Sequence, residues 1–216
     1  RTPWIIKWPA VVQSGLRTSS LVSSVDLAPT FTALAGLKQE STFEGVDFSP
    51  ILRDSRIAVR SHIFAEDHWH DYEDHGRAVA TQQWKLIHNT YPDLPNTPSA
   101  DAGRSLTWQS MLKLNKESKL TAAQQRCLIS PRAEYELYDL QKDPYELQNL
   151  ATDPAHQKIL LELKAELKAQ FIRTGDYLPS KRTPDEFDRI TGEPDHSVRR
   201  RPRASKKEMF GTNGSY

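Results

Sequence analysis

The chain has 216 residues, which is enough for one hydrophobic core of ordinary size or for part of a core together with a small subdomain. Hydrophobic residues make up 37%, a low share for an autonomous domain, and the formal net charge of +1 favours no particular class of partner. The single cysteine, Cys127, excludes an intrachain disulfide framework and a cysteine-based zinc site, and no apolar run approaches the roughly 20 residues that span a bilayer.

The first part of the chain contains one predicted strand and one predicted helix. Residues 4–8 are rich in tryptophan and isoleucine and favour a strand. Because a chain rarely starts on a core strand, this opening predicts that a preceding part of the protein lies outside the chain. Apolar residues then recur at helical spacing over residues 21–37, with Ser24 or Asp26 as the N-cap and Gly36 at the end.

The middle of the chain is predicted to be mainly β. Residues 49–52 favour a short helical turn. Apolar residues then alternate in three segments, which are residues 61–69, 77–89 and 134–140. A long insertion, residues 91–131, separates the second segment from the third and has helical character around residues 108–112 and 121–127. Excursions of this length inside a small sheet usually have a function.

The last strongly predicted element is a helix over residues 153–171. Asp153 is its cap, Pro154 lies in its first turn, and Gly175 ends it. The tail that follows is predicted to be extended or disordered, and it is basic because of Arg199, Arg200, Arg201, Arg203, Lys206 and Lys207. Such a tail can contact nucleic acid, an acidic glycan or an anionic membrane, or it can simply be solvated. Without interleaved aromatic residues or a recognisable module, nucleic-acid binding is excluded as the main function.

Charged and histidine-rich residues are densest in the segment from Glu66 to Arg77. His68 and His70 are two residues apart, so they share one face of a strand and could hold a metal ion together with a carboxylate. The spacing fixes no third ligand, however, and a solvated charged loop explains the same composition. His88 is interpreted as a structural residue at the end of a strand. The residue pattern alone leaves these alternatives open.

Three stretches of the chain, in this order, resemble the C-terminal third of the formylglycine-dependent sulfatases of the alkaline-phosphatase superfamily. The first is Arg-Thr-Pro-Trp-Ile-Ile-Lys-Trp-Pro at residues 1–9, followed by Val-Asp-Leu-Ala-Pro-Thr-Phe at residues 25–31. The second is the pattern Leu-Tyr-Asp-Leu, Asp-Pro, Glu and Asn-Leu within residues 136–150. The third covers residues 64–79 and 84–89, and is most similar to the branch that contains the heparan N-sulfatase (N-sulfoglucosamine sulfohydrolase).

This resemblance covers about residues 1–175 and implies an α/β fold of the alkaline-phosphatase-like sulfatase type. Residues 1–58 would then be the last strand and helix of the α/β core. Residues 59–178 would form a C-terminal α+β subdomain, an antiparallel sheet packed by the helix at residues 153–173. Residues 179–216 would remain a basic tail.

The resemblance also implies the hydrolysis of a sulfate ester or sulfamate on a saccharide. That reaction needs a nucleophile, neutralisation of charge on the sulfuryl oxygens and an acid for the leaving group. Sulfatases use a formylglycine, made within a Cys/Ser-x-Pro/Ala-x-Arg motif, and a calcium ion held by oxygen ligands. The motif is absent here, since Cys127 is followed by Leu-Ile-Ser-Pro. Catalytic residues and metal ligands are therefore expected upstream, and this chain alone is expected to be inactive.

What this chain would contribute, by the same resemblance, is substrate binding. Residues that line the mouth of the substrate pocket in this family correspond most directly to His70, Asp71 and Arg77. The correspondence with His68 is less direct. Histidine and arginine can bind sulfate oxygens, and a carboxylate can hold sugar hydroxyls. The expected partners are a sulfated saccharide and the N-terminal part of the same enzyme, with a homodimer left open and neither nucleic acid nor membrane involved. The expected location is secreted, periplasmic or lysosomal.

Two other functions are compatible with the sequence. A phosphodiesterase or phosphatase of the same superfamily would have a threonine or serine nucleophile and two zinc sites upstream. A non-catalytic glycan-binding module would fold alone and bind sulfated glycan without an N-terminal partner. The unpaired apolar strand predicted at residues 4–8 argues against the second, because such an edge invites aggregation.

Overall fold

A computed structural model describes residues 4–198 of the chain. The described residues form two compact units. The first unit comprises residues 4–67, 76–91 and 133–177, and the second comprises residues 68–75, 92–132 and 178–198. The predicted basic residues of the tail, from Arg199 onward, lie outside the described part.

The elements follow one another in a mixed order of helices and strands. The helices are α1 (Leu27–Leu34), α2 (Ser49–Arg53), α3 (Ala100–Gly103), α4 (Leu106–Lys116), α5 (Ala122–Gln125) and α6 (Gln157–Thr174). The strands are β1 (Ile63–Trp69), β2 (Glu73–Ala80), β3 (Trp84–Asn89) and β4 (Tyr135–Asp139). Short 3₁₀ helices cover Ser24–Asp26, Arg126–Leu128 and Pro154–His156. Within residues 4–198, none of the helices is both long and apolar enough to cross a bilayer.

The four strands form one sheet in the order β1-β2-β3-β4. The pairs β2–β3 and β3–β4 are antiparallel, and their register places Val79 opposite Leu86 and Leu86 opposite Leu137. These three side chains are fully buried and pack with Leu163 and Leu167 of α6. The predicted antiparallel sheet packed by a long helix is therefore confirmed.

The helical segment formed by the 3₁₀ helix Pro154–His156 and α6 begins and ends where its capping residues predict. The Asp153 carboxylate accepts a hydrogen bond from the backbone N–H of Ala155 at 2.9 Å, and Pro154 occupies the first turn. Gly175 ends the helix with a φ of 66°, a conformation that favours glycine. These signals lie within a few residues of the helix ends, and that is why the sequence pattern located the helix well.

The predicted strand at residues 77–89 is wrong as a single element, because the structure divides it into β2 and β3. The Thr81 hydroxyl accepts hydrogen bonds from the backbone N–H groups of Gln83 and Trp84, at 3.2 and 2.8 Å. The backbone N–H of Thr81 donates to the Trp84 carbonyl at 2.8 Å. A threonine side chain thus closes the turn, and residues 81–84 include no glycine, proline or asparagine that would have indicated it.

The first 60 residues also differ from the predicted pattern. The structure forms no strand at residues 4–8, since no strand among the described residues lies beside them to pair with their backbone. The predicted helix over residues 21–37 is shorter, because Ser23 N donates to Asp26 Oδ2 at 2.7 Å and the chain begins a 3₁₀ turn before α1. Gly36 ends the helical region with a φ of 69°, as predicted.

The second unit contains α3, α4 and α5, which confirms the helical character predicted for the insertion. The buried Trp108 side chain donates through Nε1 to the Ile190 carbonyl at 3.2 Å. Arg104 donates to the Gly192 carbonyl at 2.7 Å. Residues 178–198 therefore pack on the insertion helices within this unit, and a β-bridge joins Phe187 to Pro194.

Candidate functional site

The turn between β1 and β2 carries the most exposed of the predicted site residues. His70 Nδ1 lies 2.9 Å from Asp71 Oδ2, and the same oxygen accepts the backbone N–H of Ala100 at 2.6 Å. The His70 side chain is 71% exposed, whereas that of Asp71 is only 21% exposed. Asp71 is therefore anchored to α3 and orients an exposed imidazole. The sequence predicted His70 and Asp71 as separate site residues, and nothing local indicated Ala100.

A second carboxylate lies at the start of α3, in the same unit. Asp101 Oδ1 accepts hydrogen bonds from the Ser99 hydroxyl at 2.5 Å and from the backbone N–H of Ala102 at 2.8 Å. These hydrogen bonds, in that order, with a smaller contribution from His70, lower the pKa of Asp101. Asp101 is therefore ionised at neutral pH.

His68 lies beside His75, with ring centroids 6.0 Å apart and planes at 62°. His75 is buried, whereas His68 is exposed at the outer end of β1. Among residues 4–198, no group of three or more histidine, cysteine, aspartate or glutamate side chains is arranged to hold a metal ion. The two histidines thus form an aromatic contact in this structure.

The backbone of this segment is held in place by residues distant in sequence. The Asp74 carboxylate makes a two-point ion pair with Arg132, both distances being 2.8 Å. The Glu73 carboxylate accepts the backbone N–H of Thr183 at 2.5 Å. Sequence reasoning missed these contacts because the partners are 58 and 110 residues away.

Tyr72 anchors the same segment through its side chain. Its hydroxyl donates to the Asp188 carbonyl at 3.1 Å, and the Arg189 guanidinium lies 4.9 Å from its ring centroid. Burial, together with nearby carboxylates, raises the pKa of Tyr72 to about 12. The hydroxyl is therefore neutral at physiological pH and acts as a hydrogen-bond donor.

Arg77, the remaining predicted site residue, belongs to the first unit. Its side chain is only 3% exposed, and it donates to Asp176 from Nε at 2.6 Å and from Nη2 at 3.0 Å. Nη1 donates to the carbonyls of Asp67 and Gly76, each at 3.0 Å. The structure thus groups His68, His70 and Asp71 in one unit and places Arg77 in the other. The predicted substrate role of Arg77 stays a prediction.

Comparison with known proteins identifies the family to which these residues belong. Residues 1–95 match the family model described as "N-sulphoglucosamine sulphohydrolase, C-terminal". The chain is also 34% identical over 177 residues to an ulvan-active sulfatase of Formosa agariphila, an alignment that covers 81% of the chain. The chain belongs to the sulfatase family, as its C-terminal region. The resemblance derived from the sequence is therefore confirmed.

Other relatives of this sulfatase region are sulfatases as well. An N-acetylglucosamine-6-O-sulfatase of Bacteroides thetaiotaomicron is 26% identical over 181 residues, or 79% of the chain. The human N-sulphoglucosamine sulphohydrolase is 34% identical over 97 residues, or 42% of the chain. The chain spans 29% of the Formosa sulfatase and 25% of the Bacteroides enzyme, so it corresponds to less than a third of either relative.

A solved structure confirms the fold of the sulfatase region. A protein crystallised in complex with its substrate, D-glucosamine-2-N,6-O-disulfate, superposes on 81% of this chain with a TM-score of 0.57 and 23% identity. The chain covers 29% of that protein. The predicted fold, an alkaline-phosphatase-like α/β fold ending in an antiparallel sheet, is therefore confirmed.

Proposed function

We propose that the protein carrying this sulfatase region hydrolyses a sulfate ester or sulfamate on a saccharide, and that this region contributes to substrate binding. The observation that carries the binding role is the exposed His70 imidazole, which Asp71 orients while Ala100 fixes Asp71. The reaction is supported by the relatives, whose names include an ulvan-active sulfatase and an N-acetylglucosamine-6-O-sulfatase.

The chemistry of the His70–Asp71 pair suits a sulfated sugar. The His70 side chain is 71% exposed beside Asp71, and an imidazole N–H can bind a sulfuryl oxygen. The second oxygen of the Asp71 carboxylate can accept from a sugar hydroxyl. His68 would extend the same contact surface along β1. Burial of Arg77 against Asp176 favours a positioning role for this arginine over direct contact with the sugar.

We further propose that the nucleophile and the cation are provided by residues outside this chain. The formylglycine motif does not occur in the sequence, and the described residues do not fit a calcium site. When present, formylglycine supplies the nucleophilic oxygen, and calcium neutralises charge on the sulfuryl group. The residues of this chain would orient the saccharide, and the chain alone would release no sulfate.

An apolar surface of the first unit supports packing against the N-terminal part of the same enzyme. Side chains that normally lie in a core are exposed there, namely Ile5, Ile6, Val25, Phe31 and Leu37. Exposed apolar side chains mark an interaction surface where they are contiguous. We therefore propose that the preceding part of the polypeptide packs over these apolar side chains. A secreted, periplasmic or lysosomal location is carried over from the family.

The experiment that tests the proposal uses the full-length protein and sulfated saccharides. His70→Ala and Asp71→Asn should each lower kcat/KM for sulfate release at least 10-fold, mainly through a higher KM. His196→Ala, which removes another exposed histidine of the second unit, is the matched control and should leave KM unchanged. Unchanged KM in both site variants would overturn the binding role.

The proposal that the full-length protein is a sulfatase can be contradicted in two ways. If the full-length protein releases no sulfate from any sulfated saccharide but cleaves phosphate esters, the phosphodiesterase or phosphatase alternative replaces it. If neither reaction occurs and sulfated glycan still binds, the non-catalytic binding module replaces it. Mass spectrometry of the Cys/Ser-x-Pro/Ala-x-Arg peptide, with or without formylglycine, separates these results from poor maturation of the enzyme.

A further inference from the structure

A cleft in the first unit lies apart in sequence from the residues proposed above to bind substrate. It has a volume of about 330 Å³ and lies between α6 and the paired strands β3 and β4. Its lining includes His88, Tyr135, Lys164, Leu167, Lys168 and Phe171. The volume is at the lower end of the range for small-molecule sites, which is the size expected for one sugar residue.

The floor of this cleft is aromatic and rigid. His88 and Tyr135 are cross-strand partners, and their rings stack with centroids 4.5 Å apart and planes only 10° apart. The Lys164 ammonium lies 3.7 Å from the centroid of the Tyr135 ring. Stacking and the cation–π contact hold the ring in one orientation. The strand-end interpretation of His88 is thus compatible with a place in the cleft wall.

The charge at the rim of the cleft is positive. Lys164 and Lys168 are four residues apart on α6, and both line the cleft. Like charges at this spacing destabilise a helix slightly. By contrast, Lys158 of the same helix has a carboxylate at that spacing, with Nζ 3.9 Å from Glu162. Negative charge at the cleft comes from the Glu134 carboxylate, which lies 3.9 Å from His88 Nε2. The Glu134 side chain is 62% exposed.

The walls determine what kind of anion fits. Phe171 is half-buried and provides apolar surface beside the two lysines, whereas Leu167 is buried in the core. Apolar and aromatic walls suit the C–H face of a pyranose, and a pair of ammonium groups suits a sulfate. We propose that this cleft binds a sulfated sugar residue, with its sulfate on Lys164 and Lys168 and its ring against Phe171. The choice of sulfated sugar rests on the proposed function.

The test measures binding of a sulfated oligosaccharide to the full-length protein by calorimetry, under conditions in which turnover is blocked by omitting the cation. Lys168→Glu reverses an exposed charge and leaves the Lys164–Tyr135 contact in place. This variant should lower the affinity for the sulfated oligosaccharide at one binding site at least 10-fold. Lys168→Arg should retain the wild-type affinity at that site. Lys158→Glu changes a residue of the same helix that does not line the cleft, and this variant should bind as the wild type does. The desulfated oligosaccharide should bind at least 10-fold more weakly.

Two results would overturn the inference. One is a Lys168→Glu isotherm identical to that of the wild type. The other is inorganic sulfate binding at the Lys168-dependent site as tightly as the sugar does, because the apolar walls would then contribute nothing. Sulfate release is measured on the same preparation. Lys168-dependent binding without any release contradicts the proposed function alone, whereas release with an unchanged Lys168→Glu isotherm contradicts this inference alone.

Discussion

Arg77 and Asp176 form a buried two-point ion pair, in which Nε and Nη2 of the guanidinium donate to the two carboxylate oxygens at 2.6 and 3.0 Å. The pair joins β2 to the residues that follow α6, across 99 positions of sequence. A buried charge is stabilising only while its partner is present, because desolvation of an unpaired charge is costly. The pair thus couples the inner strand β2 to the end of the packing helix.

Removal of the Asp176 carboxylate should destabilise the protein strongly. Asp176→Ala removes the two-point partner of the buried Arg77 guanidinium, and the Glu66 carboxylate, 4.0 Å from Nε, is 72% exposed and compensates little. Loss of one partner of a buried pair costs about 3–5 kcal/mol. Denaturant unfolding measures this change. Asp54→Ala is the control, since its partner Arg56 is exposed and such surface pairs contribute little. Equal unfolding free energies for the two variants would contradict the structural role of the pair.

Gly45 is required by a close approach of two backbone segments. A Cβ atom at this position would lie 2.0 Å from the Val25 carbonyl oxygen and 2.8 Å from the Asp26 Cα. Asp26 is fully buried, accepts the backbone N–H of Val46 at 2.8 Å and forms an ion pair with Arg60. Any displacement at Gly45 therefore disturbs a buried charge.

Gly45→Ala should lower the free energy of unfolding by about 1–3 kcal/mol, the range for overpacking of a close contact. Gly76→Ala is the matched control, because a Cβ there would meet the Asp67 side chain at an ordinary 3.5 Å. Both variants are compared by thermal unfolding. A Gly45→Ala variant as stable as Gly76→Ala would show that the two segments separate easily.

The sequence predicted those parts of the fold that are determined by residues close to them in the chain. The 3₁₀ turn that leads into α6 has a cap at Asp153, and α6 has a left-handed end at Gly175. The β2–β3 turn was missed because the Thr81 hydroxyl closes it, and threonine is also common in strands. The strand predicted at residues 4–8 has a suitable composition, but a strand also needs a neighbour, which composition does not reveal.

In the candidate site, too, contacts between neighbouring residues could be predicted and long-range contacts could not. His70 and Asp71 are adjacent, so their pairing could be anticipated from the sequence. The anchoring of Asp71 by Ala100 and the burial of Arg77 by Asp176 depend on contacts across 29 and 99 positions. Long-range contacts of this kind follow from the tertiary fold, and no local pattern in a single sequence encodes them.

Asp188 makes the loop at residues 188–192 sensitive to acid. Its carboxylate accepts hydrogen bonds from the backbone N–H and hydroxyl of Thr191, at 2.7 and 3.0 Å, and from the backbone N–H of Ile190 at 2.9 Å. These contacts, with Thr191 contributing most, lower the pKa of Asp188. Since the folded pKa is depressed, the stabilisation is complete above the unfolded pKa, about 3.9, and is lost as pH falls through the folded value.

NMR titration of the Asp188 carboxyl carbon should give a midpoint below that of an unstructured aspartate. Asp188→Asn should lower stability at neutral pH and flatten the dependence of unfolding free energy on pH below about 4, because the linked proton uptake is removed. An Asp188 midpoint at the ordinary value, or a variant with the same acid dependence as the wild type, would contradict the prediction.

Leu163 is the side chain through which α6 contributes most to the core. It is 1% exposed and packs with Val79, Leu86 and Leu137, which are aligned across three strands. Leu163→Ala should lower the free energy of unfolding by about 2–5 kcal/mol, because it removes buried methyl groups and leaves a cavity. Leu161→Ala, in the same helix but 63% exposed, is the control and should cost far less. Denaturant unfolding of both variants decides the question: a similar, small loss for each would mean that α6 does not pack the sheet through the face that carries Leu163.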